Sequence, residues 1–345
     1  MSQAQTAEDP NDPVAYFLQD IEFQGKSART RDSYGRVLRE FETYLEANGM
    51  GDLDGASYRD CMSWIHTLRG SHAESSIATY ASYLHRFYSY MVQVGVFDAN
   101  PMTVVIEEMD ESIHTDPTRR ELSIEEMRGF VETLQHPLAD GIVTTLLKTG
   151  MRSGELCNLD VRDLNLDGVA LSNAGVSEVR PQLQGRPNSI YVDDAPARGE
   201  RTNGERRDAS NKRKRATVVP VDAELKATLE RWLAVRPDPA SPAEPVFVST
   251  SRNWGERVTI DTVHHVVATN AERMGWYRTG GGADENVTPH YFRHFFTTHL
   301  RDRTGDRGIV KYLRGDVASD VIDTYTHNWG SRVRETYETH IYSLS

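Results

Sequence analysis

The stretch "TPHYFRHFFTTHL", residues 288–300, decides how most of this chain folds. Thr288 suits a helix N-cap and Pro289 the first helical position, where the missing N–H is no loss. At about 100° per residue, Phe292, Phe295, Phe296 and His299 take one face, and His290, Arg293, His294, Thr297 and Arg301 the other. The aromatic stripe predicts a helix packed into a sizeable core. The opposite face predicts a guanidinium and two imidazoles at a helix N-terminus, where unpaired backbone N–H groups favour an anion such as phosphate. A solvated helix face is the plainer alternative. A zinc site is a third, weakened because such His spacings recur by chance and no cysteine stands nearby.

Outward from this helix, 345 residues suffice for two domains, each burying its own core. Residues 1–12 are expected to be disordered. Four segments between residues 13 and 101, among them "SARTRDSYGRVLREFETYLEANG" and "SSIATYASYLHRFYSYMVQVG", carry apolar residues at three and four residue spacing and predict a helical unit. Tyr80, Tyr83, Phe87, Tyr88 and Tyr90 read as its core. Residues 102–118, acidic and without period, are expected to be a linker. The second unit, 119–345, opens with Ser123 and Glu126 at capping-box spacing. Two helices broken at Gly150 follow, then strand-like "SIYVDD" and "ATVVPV" around a mobile hairpin loop at 195–215, a helix at "DAELKATLERWLAV", strand-like "PVFVS" and further helices. The fold class is thus mainly α with a small β-sheet.

The formal charge is −12, from 51 acidic and 39 basic residues, only six of them lysine. Such a balance argues against a polyanionic partner unless positive charge is gathered locally. It also suits a salty medium, where screening shortens the reach of charge to about 3 Å at 1 M salt. No apolar run reaches the roughly 18 residues of a membrane span, and the polar start lacks a signal peptide's features, so a cytoplasmic place is expected. Cys61 and Cys157 read as reduced core residues.

Three further places carry chemistry. In "KTGMRSGELCNL", Glu155 lies one turn after Arg152 and would fix the direction of its guanidinium fork, although such pairs are usually surface pairs worth under ~1 kcal/mol. In "NKRKRATVVPV", Lys212, Arg213, Lys214 and Arg215 run into a strand, as a phosphate-reaching arm or a solvated basic loop. In "RGDVASDVIDTYTHNWG", Tyr325 is one of 15 tyrosines. A phenol with a pKa near ~10 is ionised about once in a thousand at neutral pH, a deficit of roughly 4 kcal/mol, so a nucleophilic tyrosine needs cationic neighbours or a base.

In order and spacing, Arg152 in "TGMRSGEL", Lys212 eight residues before Pro220, "HYFRH" at 290–294 and Tyr325 in "DTYTH" resemble the tyrosine recombinase, or phage integrase, family, in its Xer-like form. The likeness extends to residues 13–101, which resemble the family's helical, SAM-like core-binding domain, and to 119–345, which resemble its mixed α/β catalytic domain. The resemblance implies cutting and rejoining of double-stranded DNA at a specific site, with no metal or other cofactor. Tyr325 would form a 3′-phosphotyrosyl bond, Arg152 and Arg293 would hold the phosphate oxygens, His290 would move the tyrosine proton, and Lys212 would protonate the leaving oxygen. Glu155 and His294 would support them, and Arg213, Lys214 and Arg215 would contact DNA. One position departs from the pattern: Asp316 stands where the family usually has a His or Trp that hydrogen-bonds the phosphate. It is expected to orient Arg293, Arg314 or a water, or else His294 or His327 supplies the lost donor. A DNA-binding protein of the same fold that no longer cuts, and a topoisomerase-like relaxing enzyme, are the alternatives. The family further implies a homotetramer on DNA, a monomer in solution being compatible with it, and a tail from about Ser331 that docks on a neighbour.

Overall fold

The computed structural model describes residues 12–26, 28–112, 118–168, 179–316 and 329–345. The chain divides into two units, Met1–Pro117 and Thr118–Ser345, each with a separate hydrophobic core.

The first unit is built of α1 (Pro13–Phe23), α2 (Ala28–Ala47), α3 (Tyr58–Leu68), α4 (Glu74–Gln93) and α5 (Met102–Glu108). Asp12 caps α1 by accepting from the backbone N–H groups of Val14 and Ala15, and Ser57 with Asp60 closes a capping box on α3. Phe17, Phe41, Phe87 and Tyr88 are fully buried, while Tyr80, Tyr83 and Tyr90 flank that core. The expected linker is corrected in part. Residues 102–108 form α5, whose Met102 and Val105 are buried in the first unit's core. Two buried positions in seven residues are too few to show a helical period.

In the second unit α6 (Ile124–Glu132) and α7 (Pro137–Thr149) precede the short α8 (Ser153–Cys157). Every residue of α7 from Leu138 to Thr149 is buried except the half-buried Asp140, so α7 is the central post. A three-stranded antiparallel sheet has the order β1 (Leu164–Asn165), β2 (Ser189–Val192), β5 (Thr217–Pro220), with Ile190 opposite both Leu164 and Val219. Between β2 and β5 a small hairpin, β3 (Arg201–Thr202) and β4 (Glu205–Arg206), is tied down rather than loose. The buried Arg207 guanidinium reaches both carboxylate oxygens of Asp160 at 3.1 and 2.7 Å, and Arg257 bonds the same carboxylate at 2.6 Å. The mobile loop expected at 195–215 is therefore an anchored hairpin. "PVFVS" makes single bridges, Asp160 with Pro245 and Val248 with Arg257, in place of a strand.

The unit is completed by α9 (Ala223–Val235), α10 (Ile260–Arg273), α11 (Pro289–Thr304), α12 (Arg307–Arg314) and α13 (Trp329–His340). The residues after α13 seat on their own chain. Tyr342 and Leu344 are buried, the Tyr342 hydroxyl donates to Leu147 O at 2.5 Å, and Leu344 N donates to Glu224 at 2.9 Å. Beneath them the fully buried Lys148 ammonium bonds Asp222 at 2.7 Å and Tyr342 O at 2.5 Å and pairs with Glu224. The tail expected on a neighbour thus has a seat in its own protomer. Among the described residues no helix is long and apolar enough to cross a membrane. Cys61 and Cys157 are buried free thiols, both pushed up to about 12 by burial.

Candidate active site

The C-terminal end of α7 begins the site. Gly150 caps the helix at φ 61°, and a Cβ there would lie 2.3 Å from the Phe296 ring, so only glycine fits both the backbone and the space. Its carbonyl accepts from Arg293 Nη1 at 2.6 Å. The chain then turns, placing Arg152 at the N-cap of α8 and Glu155 inside its first turn.

Glu155 is fully buried and serves two arginines. Its Oε1 accepts from Arg152 Nη1 at 3.0 Å, and its Oε2 accepts from Arg213 Nη2 at 3.1 Å and from the Arg152 backbone N–H at 3.0 Å. A buried carboxylate is stable only when paired and fully hydrogen-bonded, and here it is. The surface pair considered from sequence is an internal brace. Arg213, expected to contact DNA, is corrected: it is buried, with further bonds to Leu313 O at 3.1 Å and to the Thr217 hydroxyl. Arg215 is half-buried with its guanidinium 4.7 Å from the Tyr312 ring centre. Only Lys212 and Lys214 of this run are exposed.

Helix α11 begins as its sequence predicts, with the Thr288 hydroxyl accepting from Tyr291 N and Pro289 in the first turn. Phe292, Phe295 and Phe296 are buried, and His290 and His294 exposed. Arg293 departs from the predicted outward face, being only 2% exposed. It turns into a polar crevice where Gly150 O and Arg314 O accept its N–H groups at 2.6 and 3.1 Å. Burial, then the nearby Arg314 and Arg152 charges, bring its pKa down to about 10, so it remains protonated at neutral pH. The His290 imidazole is held below its ordinary 6.5 by desolvation and then by the charges of Arg119, Arg293, Arg314 and Arg152.

Asp316 joins these parts. It follows Gly315, which ends α12 in the left-handed region, and its Oδ1 accepts from Arg152 Nη2 at 3.1 Å and Arg293 Nη2 at 2.9 Å. Its Oδ2 lies 3.1 Å from Arg314 Nε as an ion pair, without the alignment of a hydrogen bond. Asp316 thus orients both arginines, and Arg314, expected from the sequence as one of its partners, is a third cation at the site. Gly315 fits tightly over Arg213, whose Cγ would lie 2.3 Å from a Cβ added there. Lys214 N donates to Gly315 O at 3.0 Å, tying the basic arm to the same turn. Tyr325 lies outside the described residues. Among the described residues no three His, Cys, Asp or Glu side chains gather as metal ligands.

Two guanidinium groups are aimed at one carboxylate oxygen of Asp316, near the start of α11 where the His290 imidazole is held below its ordinary value. The description "Phage integrase, N-terminal SAM-like domain" matches residues 14–95, and "Phage integrase family" matches residues 189–331. The chain belongs to the phage integrase, or tyrosine recombinase, family. It is 24% identical to tyrosine recombinase XerC of Vibrio vulnificus (strain YJ016) over 91% of this chain and 86% of that one. To tyrosine recombinase XerA of Pyrococcus horikoshii it is 25% identical, over 88% and 92%. In fold it is similar to the Tn1549 transposon integrase in complex with transposon right end DNA, at TM-score 0.64 and 17% identity over 94% of each chain. A lambda integrase dimer bound to a COC′ core site follows at TM-score 0.60 and 14% identity, over 93% of this chain and 76% of that one.

Proposed function

We propose that this protein is a site-specific DNA recombinase that cuts and rejoins strands through a 3′-phosphotyrosyl bond at Tyr325. The observation that carries this reading is the meeting of Arg152 Nη2 and Arg293 Nη2 on one carboxylate oxygen, at 3.1 and 2.9 Å. Two donors converging on an oxygen are what a non-bridging phosphate oxygen requires, and they neutralise charge as the phosphorane forms. His290, neutral at pH 7, takes the tyrosine proton. Lys212 protonates the leaving 5′-oxygen, and the exposed Lys214 contacts the DNA backbone. The bond energy is kept in the phosphotyrosyl ester, which the freed 5′-hydroxyl of another strand attacks. Residues 13–101 bind the duplex as well, four protomers act on two duplexes, and the reaction takes place in the cytoplasm.

Asp316 favours a second reading, a DNA-binding protein of this fold that does not cut, because a carboxylate fills the anion position. A pool of randomised duplexes with a nick beside each candidate phosphate separates the two. Incubation should give a covalent protein–DNA adduct, and Tyr325→Phe should give none. Absence of adduct from the wild-type protein at every salt concentration sinks the first reading.

A further inference from the structure

We propose that Asp316 is a displaceable internal occupant of the phosphate seat, so that a DNA phosphate enters between Arg152 and Arg293 only as the carboxylate leaves. This rests on the reading of the two arginines as phosphate ligands. Asp316 Oδ1 takes the Nη2 donor of each. Further donors of the same groups hold the frame: Arg152 Nη1 bonds Glu155, and Arg293 Nη1 and Nη2 bond the carbonyls of Gly150 and Arg314. A phosphate oxygen in the same seat competes with the carboxylate for these two Nη2 groups, and two anions at one point exclude each other.

The site's two carboxylates differ in their freedom to move. Glu155 is fully buried and shared by Arg152 and Arg213, whereas the Asp316 side chain is 27% exposed. It stands one residue beyond the left-handed turn at Gly315, and among the described residues its second oxygen has the unaligned Arg314 Nε contact. Arg314, itself partly exposed, can keep that contact while Oδ1 withdraws, which gives the displaced carboxylate a place to rest. The free protein is thereby charge-compensated and closed, and only an anion that presents an oxygen to both Nη2 donors opens it. Asp316 acts on the reaction through the arginines, as a positioning residue.

The test uses the full chain as wild type, Asp316→Asn and Asp316→Ser, with inorganic phosphate as the probe at fixed ionic strength. Both variants should bind phosphate about tenfold more tightly in calorimetry. They should also reach half-maximal adduct formation at lower concentrations of the nicked duplex, a change that a loss of fold would not produce. Equal phosphate affinity in all three proteins overturns the proposal. In the wild-type protein the carbon-13 resonance of the Asp316 carboxylate should shift on phosphate addition. An unmoved resonance at saturating phosphate also overturns it, whether or not the variants fold. Tighter phosphate binding without any adduct would leave the gate standing and remove the strand-cleavage reading. Adduct formation with unchanged phosphate affinity would do the reverse.

Discussion

His290 and Arg293 are three residues apart on one helix, yet desolvation and neighbouring positive charge lower both pKa values with opposite results for function. Arg293 keeps its proton because its ordinary pKa is so high that a fall to about 10 leaves it charged. His290 starts at 6.5, and the same direction of shift makes it neutral at pH 7. Its folded value is depressed, so the neutral form is favoured above 6.5 and is lost only as pH falls through the lower folded value. The acid limb of the adduct-formation profile should accordingly have its midpoint below pH 6.5, and His290→Ala should abolish that limb. A midpoint above 6.5 would assign the base to another group. At this scale the sequence concealed how deep the side chains lie. The helical wheel put Arg293 outward because periodicity cannot see that the opposing surface is Gly150 O and Asp316. The basic run hid Arg213 for a similar reason: its partner Glu155 lies 58 residues away. The Thr at i+4, Thr217, is the one local signal of an inward-turned side chain.

Elements were more legible where their ends carry chemistry. Thr288 with Pro289 and Ser123 with Glu126 start α11 and α6 as their sequences predict, because capping is a local bond. Helix α5 and the single bridges of "PVFVS" were not legible, since both are decided by what packs against them. The junction of α7 and α8 depends on one backbone position. Gly150→Ala forces a left-handed alanine and drives a methyl into the Phe296 ring, so urea unfolding should show a loss of about 2–3 kcal/mol. The double variant with Phe296→Leu should recover part of that loss. If Gly150→Ala unfolds at the wild-type urea concentration, the turn is softer than its geometry implies.

The whole molecule contains two cores that share no residue, one from Val14 to Val105 and one from Leu122 to Leu344. Fragments 12–112 and 118–345 should each unfold cooperatively in urea, and a fragment that melts without a sigmoidal transition would show that its core needs the other unit. This division was readable from composition and helical period. The seat of the tail was not, because its partners Lys148 and Tyr342 are 194 residues apart. That separation bears on how the catalytic unit folds. Before residue 342 arrives, Lys148 has Asp222 and Glu224 as ion-pair partners but lacks the Tyr342 carbonyl, an unmade bond that costs about 1–3 kcal/mol. Closing a loop of this length is slow in turn, because chain entropy is lost before the contact forms. The contact between the central helix and the last segment therefore forms late. Until it occurs, the helix whose capping carbonyl, Gly150 O, holds Arg293 is incompletely packed, and refolding should restore anion binding no sooner than it buries Tyr342.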